Sequence, residues 1–504
     1  MKSLSRRSFL QTASLAAAGA ALSARSRGQV SGANSDVRVG MIGLGSRSKQ
    51  HLRAYDSLPG VRVVAVCDAD SERVRAAVQA RRARGQEVQA FADFRQLLDR
   101  PDIDAVSIAS PNHWHSLMAI WACQAGKDVY VEKPVSHNIW EGRQEVAAAA
   151  RYGRIVQAGT QSRSRQDLID SVAWIRAGNL GRIKVVRGLC YKRRPSIGLT
   201  RGPQPIPASV NFDLWTGPAP LAPLRRKHLH YDWHWVWPTG CGDLGNQGIH
   251  QMDVARWYLG DPHLAPHSLA VGGRLGYVDD GETPNTVAAI HNYAEAPLIF
   301  EVRGLPIHTG SEAMGRYPDP ALGTNVGVVV HCEGGFLVAA NGPRFDSGAV
   351  KTGTDYGMVA AFDLQNKCVK RFEGRPEAAV ESDHFGNFLA AVRSRQAEKL
   401  RAPIECGHLS SSLCHVANIS YRLGSAQSPA EAQERLAGDP ALSEAYGRML
   451  EHLRANAVDL SRNSVRLGRP LAVDPAAERF LDNDPANALL SRHYRTPFVV
   501  PALT

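Results

Sequence analysis

The stretch Asp128–Pro134 reads Asp-Val-Tyr-Val-Glu-Lys-Pro and holds the first side chain able to do chemistry. Val129, Tyr130 and Val131 form a short β-branched and aromatic run, the pattern of a buried strand, and Pro134 stops it. Glu132 and Lys133 then fall at the strand's carboxyl end, where open parallel sheets bind their ligands. A lysine there, beside an acid, can take a lowered pKa and exchange protons with a substrate. A surface lysine closing a strand is the plainer reading of these residues alone.

His250 is the second candidate. From Gly248 the segment Gly242–Gly260 reads as a helix with Ile249, Met252, Ala255 and Leu259 on its packed side. His250 and Asp253 are three apart and share a neighbouring face. An imidazole with an ordinary pKa of about 6.5 suits proton removal at neutral pH. One turn earlier stands Asn246, an amide that can bond a substrate hydroxyl but cannot act as a base. In Tyr231–Trp237 three tryptophans alternate; Trp233 is expected in a sugar-stacking wall, and Trp235 and Trp237 in packing. Tyr191-Lys192-Arg193-Arg194 ends a predicted strand with a polar cluster suited to sugar hydroxyls or an acidic substituent, or is simply a solvated strand end. No His-x-x-x-His or paired-cysteine spacing points to a metal, and none is expected.

The elements that must position these groups begin with the strand Val37–Ile42, which runs into Gly43-Leu44-Gly45-Ser46-Arg47-Ser48 and a helix. Gly43 permits a tight turn, Gly45 lets backbone approach a pyrophosphate, and the helix amino terminus attracts it. The third position is Ser48 rather than Gly or Ala. The strand Val61–Cys67 ends in Asp68, 25 positions after Gly43, near the spacing of about 20 for an acid that binds the ribose 2′-hydroxyl. That carboxylate favours NAD over NADP, and nearby Arg73 moderates the preference; capping the helix 71–83 is the alternative role for Asp68. Strand and helix then alternate to residue 158, which predicts a doubly wound parallel sheet. Ser110-Pro111-Asn112 ends one strand at the same edge, with His115 in the first turn of the helix that follows.

Together, Gly43-x-Gly45, Asp68, Ser110-Pro111-Asn112-His113-Trp114-His115, Glu132-Lys133-Pro134 and the segment Gly242–Gly260 resemble the Gfo/Idh/MocA family, two-domain NAD(P)-dependent enzymes acting mainly on sugars and polyols. The resemblance implies that Lys133 lies at the nicotinamide and contacts the reacting oxygen. It implies cofactor roles for Asn112, His115, Glu132 and Gln161, and that His250 takes the hydroxyl proton. Asn246 departs from inositol dehydrogenase-like members, which often carry a carboxylate there, so the proton relay rests on Lys133 and His250. The expected cofactor set is Gly43, Leu44, Gly45, Ser46, Arg47, Asp68, Ser110, Pro111, Asn112, His115, Glu132, Lys133 and Gln161. The expected substrate set is Arg163, Tyr191, Arg193, Trp233, Asn246 and His250.

The expected organisation is a leader over residues 1–24, a linker over 25–35, a Rossmann domain over 36–160, an α/β domain with a large open mixed sheet over 161–425, and a helical or irregular extension over 426–504. Ser5-Arg6-Arg7-Ser8-Phe9-Leu10-Gln11 is a twin-arginine pattern followed by a short alanine-rich apolar run, so export to the periplasm is expected. No segment reads as a stable membrane span. Eight cysteines lack Cys-x-x-Cys spacing; buried thiols suit a chain that folds before it crosses the membrane. The net charge is +11, yet a basic stripe with stacking aromatics is missing, which argues against nucleic acid. The partners expected are a carbohydrate, the twin-arginine export machinery and a second copy paired through the open sheet.

Outside the cytoplasm free NAD is scarce, so the cofactor must stay bound. At an on-rate of about 10⁶ M⁻¹s⁻¹, retention for hours needs a dissociation constant of roughly 10⁻¹⁰ M. The leading reading is hydride transfer with a second carbonyl compound reoxidising the cofactor. The alternative is redox-neutral glycoside cleavage by oxidation and elimination. A third is a cofactor-bound sugar sensor without turnover.

Overall fold

The computed structural model describes residues 36–260, 262–318, 323–341, 344–346, 349–351 and 358–503. The twin-arginine pattern and the linker before residue 36 lie outside the described residues.

The first sheet has six parallel strands: β1 (Val37–Ile42), β2 (Val61–Cys67), β3 (Gln89–Phe91), β4 (Ala105–Ile108), β5 (Asp128–Val131) and β6 (Val156–Ala158). Their order is β3-β2-β1-β4-β5-β6. β4 and β5 are buried along their whole length, as parallel strands covered on both faces must be. The chain reverses direction across the sheet between β1 and β4, which opens a crevice beyond their carboxyl ends.

The second sheet is mixed and has twelve strands. Its main path runs β16 (Cys368–Phe372), β15 (Met358–Asp363), β12 (Gly335–Asn341), β11 (Val326–Cys332), β7 (Ile183–Cys190), β10 (Leu298–Arg303), β9 (Thr286–Asn292), β8 (His267–Gly273), β18 (Val465–Leu467) and β17 (Ser425–Gln427). β19 (Leu471–Asp474) pairs with β8 and with β20 (Arg479–Phe480), while β13 (Arg344–Asp346) and β14 (Ala349–Lys351) pair separately. Alternation along a strand decides what each face meets. Leu298, Phe300 and Val302 join the helices Gly248–Tyr258 and Ile404–Arg422, whereas Ile299 joins Leu442, Tyr446, Met449 and Leu453 of the helix Pro440–Ala455. Burial of each such side chain contributes about 1.5–3 kcal/mol. Asp439 caps that last helix by accepting from Leu442 N at 3.1 Å, and Pro440 occupies its first turn.

The fold class is thus the expected one, a Rossmann-type parallel sheet joined to a domain with a large mixed sheet. The chain path is less linear than its periodicity suggests. The helix Glu377–Ser394 returns to the first sheet, where Phe385, Phe388 and Leu389 pack with Val39, Met41, Tyr55 and Tyr130. The tail also returns: Phe498 and Val500 share a core with Phe94 and Trp114. Arg492 donates to Glu141 at 3.1 Å and to the His113 carbonyl at 3.0 Å. The helix Pro440–Ala455 covers part of the face that an open sheet would offer to a second copy.

Candidate active site

The turn after β1 is shaped by close backbone approach. Gly43 has φ +85°, and a Cβ there would stand 2.5 Å from Ser110 N. Only glycine fits such a left-handed, crowded position. Ser48 Oγ donates to the Gly45 carbonyl at 2.7 Å, so the serine at the third motif position closes the turn. Asp68 leaves the end of β2 and accepts from Leu44 N at 2.7 Å and Asp70 N at 2.9 Å. Its burial pushes the carboxyl pKa up. The helix Ser71–Arg82 is capped instead by Asp70, which accepts from Glu72 N, so the capping role considered for Asp68 belongs to its neighbour.

A cavity of about 630 Å³ opens at this edge. Gly43, Gly45, Ser46, Arg47, Asp68, Ser110, Pro111, Asn112, His115, Glu132 and Lys133 line it; the Leu44 side chain and Gln161 do not. Leu44 contributes its backbone N–H to Asp68. Gln161 stands behind Glu132, donating to it at 3.1 Å and to Tyr130 Oη at 3.0 Å from the same nitrogen. Asn112 Nδ2 donates to Cys241 Sγ at 3.1 Å, and its buried Oδ1 has no partner. His115 bridges two turns, with Nδ1 2.6 Å from the Pro134 carbonyl and Nε2 2.8 Å from the Ser110 carbonyl. Burial holds its ring below the ordinary histidine range.

Glu132 is a hub. Its Oε1 accepts from Arg47 Nε at 2.7 Å and lies 3.0 Å from His51 Nε2. Arg47 also pairs with Glu381 at 2.9 Å, tying the returning helix to the site. Burial alone would raise the carboxyl pKa of Glu132; Arg47 and His51 more than offset this and hold it well below the usual range. Lys133 follows across a cis peptide to Pro134, and Nζ donates to the Asn246 carbonyl at 2.8 Å. Burial pulls its pKa down to about 8, against the opposing pull of Glu132.

The opposite wall comes from the second half of the chain. Lys192, Arg194, Tyr231, Trp233, His234, Asn246 and Gln247 line it. Lys192 Nζ donates to Gln247 Oε1 at 2.9 Å. Arg194 makes a fork to Asp243 at 2.8 and 2.7 Å, which assigns Asp243 to an ion pair. Trp233 stacks on His234 with ring centroids 3.6 Å apart. Trp235 lies beneath Arg194 and Trp237 beneath Arg422. His250 is half-buried with Nδ1 unpartnered, and it is not among the lining residues. Burial and then the charge of Lys133 hold its ring neutral, well below the ordinary range.

Besides His250, three substrate-side expectations do not reach the cavity. Arg163 is buried against Asp253, Nε donating at 2.9 Å and Nη2 at 2.9 Å. Asp253 also accepts from Ser410 at 2.7 Å, so it serves that cluster rather than His250. Tyr191 donates to buried Glu301 at 2.7 Å, and Arg193 pairs with Glu312 on the surface. The extended chain after β7 alternates faces, and it is Lys192 and Arg194 that turn inward. The alternation was visible in Tyr191–Arg194; its parity was not.

Sequence reasoning also missed a cover. Residues 206–235 cross the crevice, with Ser71 N donating to the Ser209 carbonyl and Asn211 N to the Ala69 carbonyl, both at 2.9 Å. His230 Nε2 lies 2.8 Å from Asp70, and Trp215 lines the cavity. Among the described residues, no group of three or more His, Cys, Asp or Glu is arranged to hold a metal ion.

The glycine cradle, the acid ending β2 and the orphaned Asn112 oxygen all fit a dinucleotide. Comparison with known proteins agrees. Residues 37–160 match the Gfo/Idh/MocA oxidoreductase family's NAD-binding Rossmann fold, and residues 182–289 match its C-terminal α/β domain. The chain is 38% identical over 148 residues to inositol 2-dehydrogenase 1 of Saccharopolyspora erythraea, covering 29% of this chain and 43% of that protein. It is 34% identical over 170 residues to a glycosyl hydrolase family 109 protein of Shewanella pealeana, covering 29% and 37%. It is 28% identical over 269 residues to levoglucosan dehydrogenase of Pseudarthrobacter phenanthrenivorans, covering 49% and 60%. The chain therefore spans less than two thirds of each of these relatives. Among solved structures, the WlbA dehydrogenase of Bordetella pertussis in complex with NADH and UDP-GlcNAcA superposes with TM-score 0.52 at 20% identity, covering 75% of this chain and 94% of that one. KijD10, a 3-ketoreductase of Actinomadura kijaniata in complex with NADP and TDP-benzene, gives 0.52 at 18% identity, covering 75% and 96%. At such identities these two speak for the fold. Residues 37–160 and 182–289 thus belong with the Gfo/Idh/MocA oxidoreductase family, the first as its NAD-binding Rossmann domain and the second as its C-terminal α/β domain.

Proposed function

We propose that the protein oxidises a carbinol of a sugar, polyol or glycoside, with Lys133 as the group that takes the hydroxyl proton. The observation that carries this is the Lys133 ammonium at the cavity wall, with a pKa of about 8 and, among the described residues, one hydrogen bond from Nζ, directed to the Asn246 carbonyl. In the neutral amine that bond orients the lone pair, leaving it for a substrate hydroxyl. A nicotinamide dinucleotide held by the Gly43 turn, Asp68 and Asn112 would supply the acceptor for the carbinol hydrogen. His250, held neutral by burial and by the charge of Lys133, does not line the cavity, so the proton step is placed on Lys133 rather than shared with that imidazole. Trp233 and Tyr231 offer the sugar an aromatic wall.

Asp68 favours NAD, since its carboxylate would repel a 2′-phosphate, although Arg73 stands at the same edge. The cover formed by residues 206–235 supports a cofactor that stays bound through many turnovers. Export of a folded, loaded protein by the twin-arginine route accords with buried thiols at Cys67, Cys123, Cys190, Cys241, Cys332 and Cys414. Replacing Arg6 and Arg7 by lysine would then retain the protein in the cytoplasm; an unchanged periplasmic fraction would discard the export reading. A second copy paired through the uncovered part of the mixed sheet completes the reading, and sedimentation as a monomer would remove it.

The second reading is redox-neutral glycoside cleavage, favoured by the 34% identity to a glycosyl hydrolase family 109 protein. There the substrate carbinol is oxidised to a ketone, the acidified neighbouring C–H gives up its proton as the glycosidic substituent leaves the next carbon, water adds to that carbon of the enone, and the hydride returns to the carbonyl. Purified protein incubated with sugars and aryl glycosides, without added nucleotide, separates the readings. Oxidised sugar with a reduced carbonyl acceptor supports the first, and released aglycone without net oxidation supports the second. Tight sugar binding with no product at all would leave only a sensor.

A further inference from the structure

The substrate wall carries more positive charge than it neutralises. Arg194 is matched by Asp243, both nitrogens of its fork engaged. Lys192 is not matched: its hydrogen bond goes to the neutral Gln247 amide, and among the described residues no carboxylate lies within ion-pair distance of it. Lys133 adds a second ammonium, bonded to a backbone carbonyl. A half-buried cation facing a cavity without a counter-charge is costly unless the ligand supplies one. We propose that the substrate is a sugar bearing a carboxylate, a uronic acid or its glycoside, and that Lys192 with the Gln247 amide binds that carboxylate. The proposal rests on the sugar oxidoreductase reading above and names its substrate class.

The donor set suits a planar carboxylate better than a phosphate. Lys192 Nζ has further N–H groups to give, and Gln247 Nε2, beside the oxygen that Lys192 bonds, makes no hydrogen bond among the described residues. One carboxylate oxygen can therefore meet each donor. A phosphate dianion is usually held by an arginine fork or by backbone N–H groups. Here the Arg194 fork, the only one on this wall among the described residues, is already closed on Asp243, and Lys192 and Gln247 offer side-chain donors alone. Burial and the nearby Arg194 lower the pKa of Lys192, as expected of a cation short of counter-charge; a bound carboxylate would reverse that pull.

Lys192 is thus placed as a specificity residue, and the test compares matched sugars on the full-length protein with its bound nucleotide. Glucuronate and galacturonate, as free acids and methyl glycosides, are set against glucose, galactose, their methyl glycosides and glucose 6-phosphate. Two readouts run side by side: the nicotinamide absorbance on mixing, and sugar binding followed by tryptophan fluorescence. The acid forms are expected to bind about 10- to 100-fold more tightly than their neutral counterparts, the worth of one charge-assisted contact. In Lys192→Gln that acid-to-neutral ratio should collapse, and in Lys192→Arg it should largely return. Equal binding of acid and neutral forms, a preference for the phosphate, or a ratio unchanged in Lys192→Gln would each overturn the proposal. Acid-selective binding without any change in the nicotinamide band would instead refute the oxidoreductase reading and leave the carboxylate site standing.

Discussion

The two walls of the cavity handle charge in opposite ways. On the Rossmann side the Glu132 carboxylate is surrounded by Arg47, His51 and Gln161, and Arg47 is shared with Glu381. Every charge there has a protein partner, so that wall is a finished, rigid frame. On the other side, among the described residues, Lys192 has only an amide, and Lys133, reaching across to that wall from the end of β5, has only the Asn246 carbonyl. That wall is electrostatically incomplete. The difference teaches where each wall's stability comes from: the first is complete within the protein, whereas the second reserves its strongest interactions for a ligand and for proton transfer.

The largest expected effect is on the incomplete wall. Lys133→Ala should lower kcat by about 10²- to 10⁴-fold, the range of positioned acid–base groups, while bound nucleotide and melting temperature change little. Retained turnover would end the comparison by removing proton transfer from that wall. Next comes the finished wall. Glu132→Gln leaves Arg47 facing one buried carboxylate fewer and should cost about 3–5 kcal/mol of stability by urea titration. A loss under 1 kcal/mol would mean the frame does not depend on its hub.

A smaller, graded effect sharpens the contrast. Lys133 has a pKa lowered to about 8, and the neutral amine is the form that accepts a proton. Below that pH the oxidation rate should rise about tenfold per pH unit and level off above it. Carbonyl reduction needs the protonated ammonium and should fall above the same pH. A flat profile between pH 6 and 9 would assign the proton step elsewhere. The smallest effect lies outside both walls: Asp439→Ala removes one cap from Pro440–Ala455 and should cost about 1 kcal/mol without altering kcat.

What was legible in the sequence by itself is what neighbouring residues decide among themselves. The tight turn at Gly43, the strand ending at Glu132-Lys133, the acid after β2 and the helix over Gly248–Tyr258 each depend on backbone sterics and periodicity within a few residues. Fold class followed, because alternating strands and helices leave few ways to bury both. Tertiary structure alone decided which members of those patterns face the site. A period of two tells that Tyr191 and Lys192 point oppositely, but only the partner elements tell which is inside. Arg163 appeared available until Asp253, 90 positions later, closed on it. The return of Glu377–Ser394 to the first sheet, and of residues 206–235 across the crevice, leaves no local mark either. Burial is a property of what arrives from elsewhere in the chain, and no window of sequence contains it.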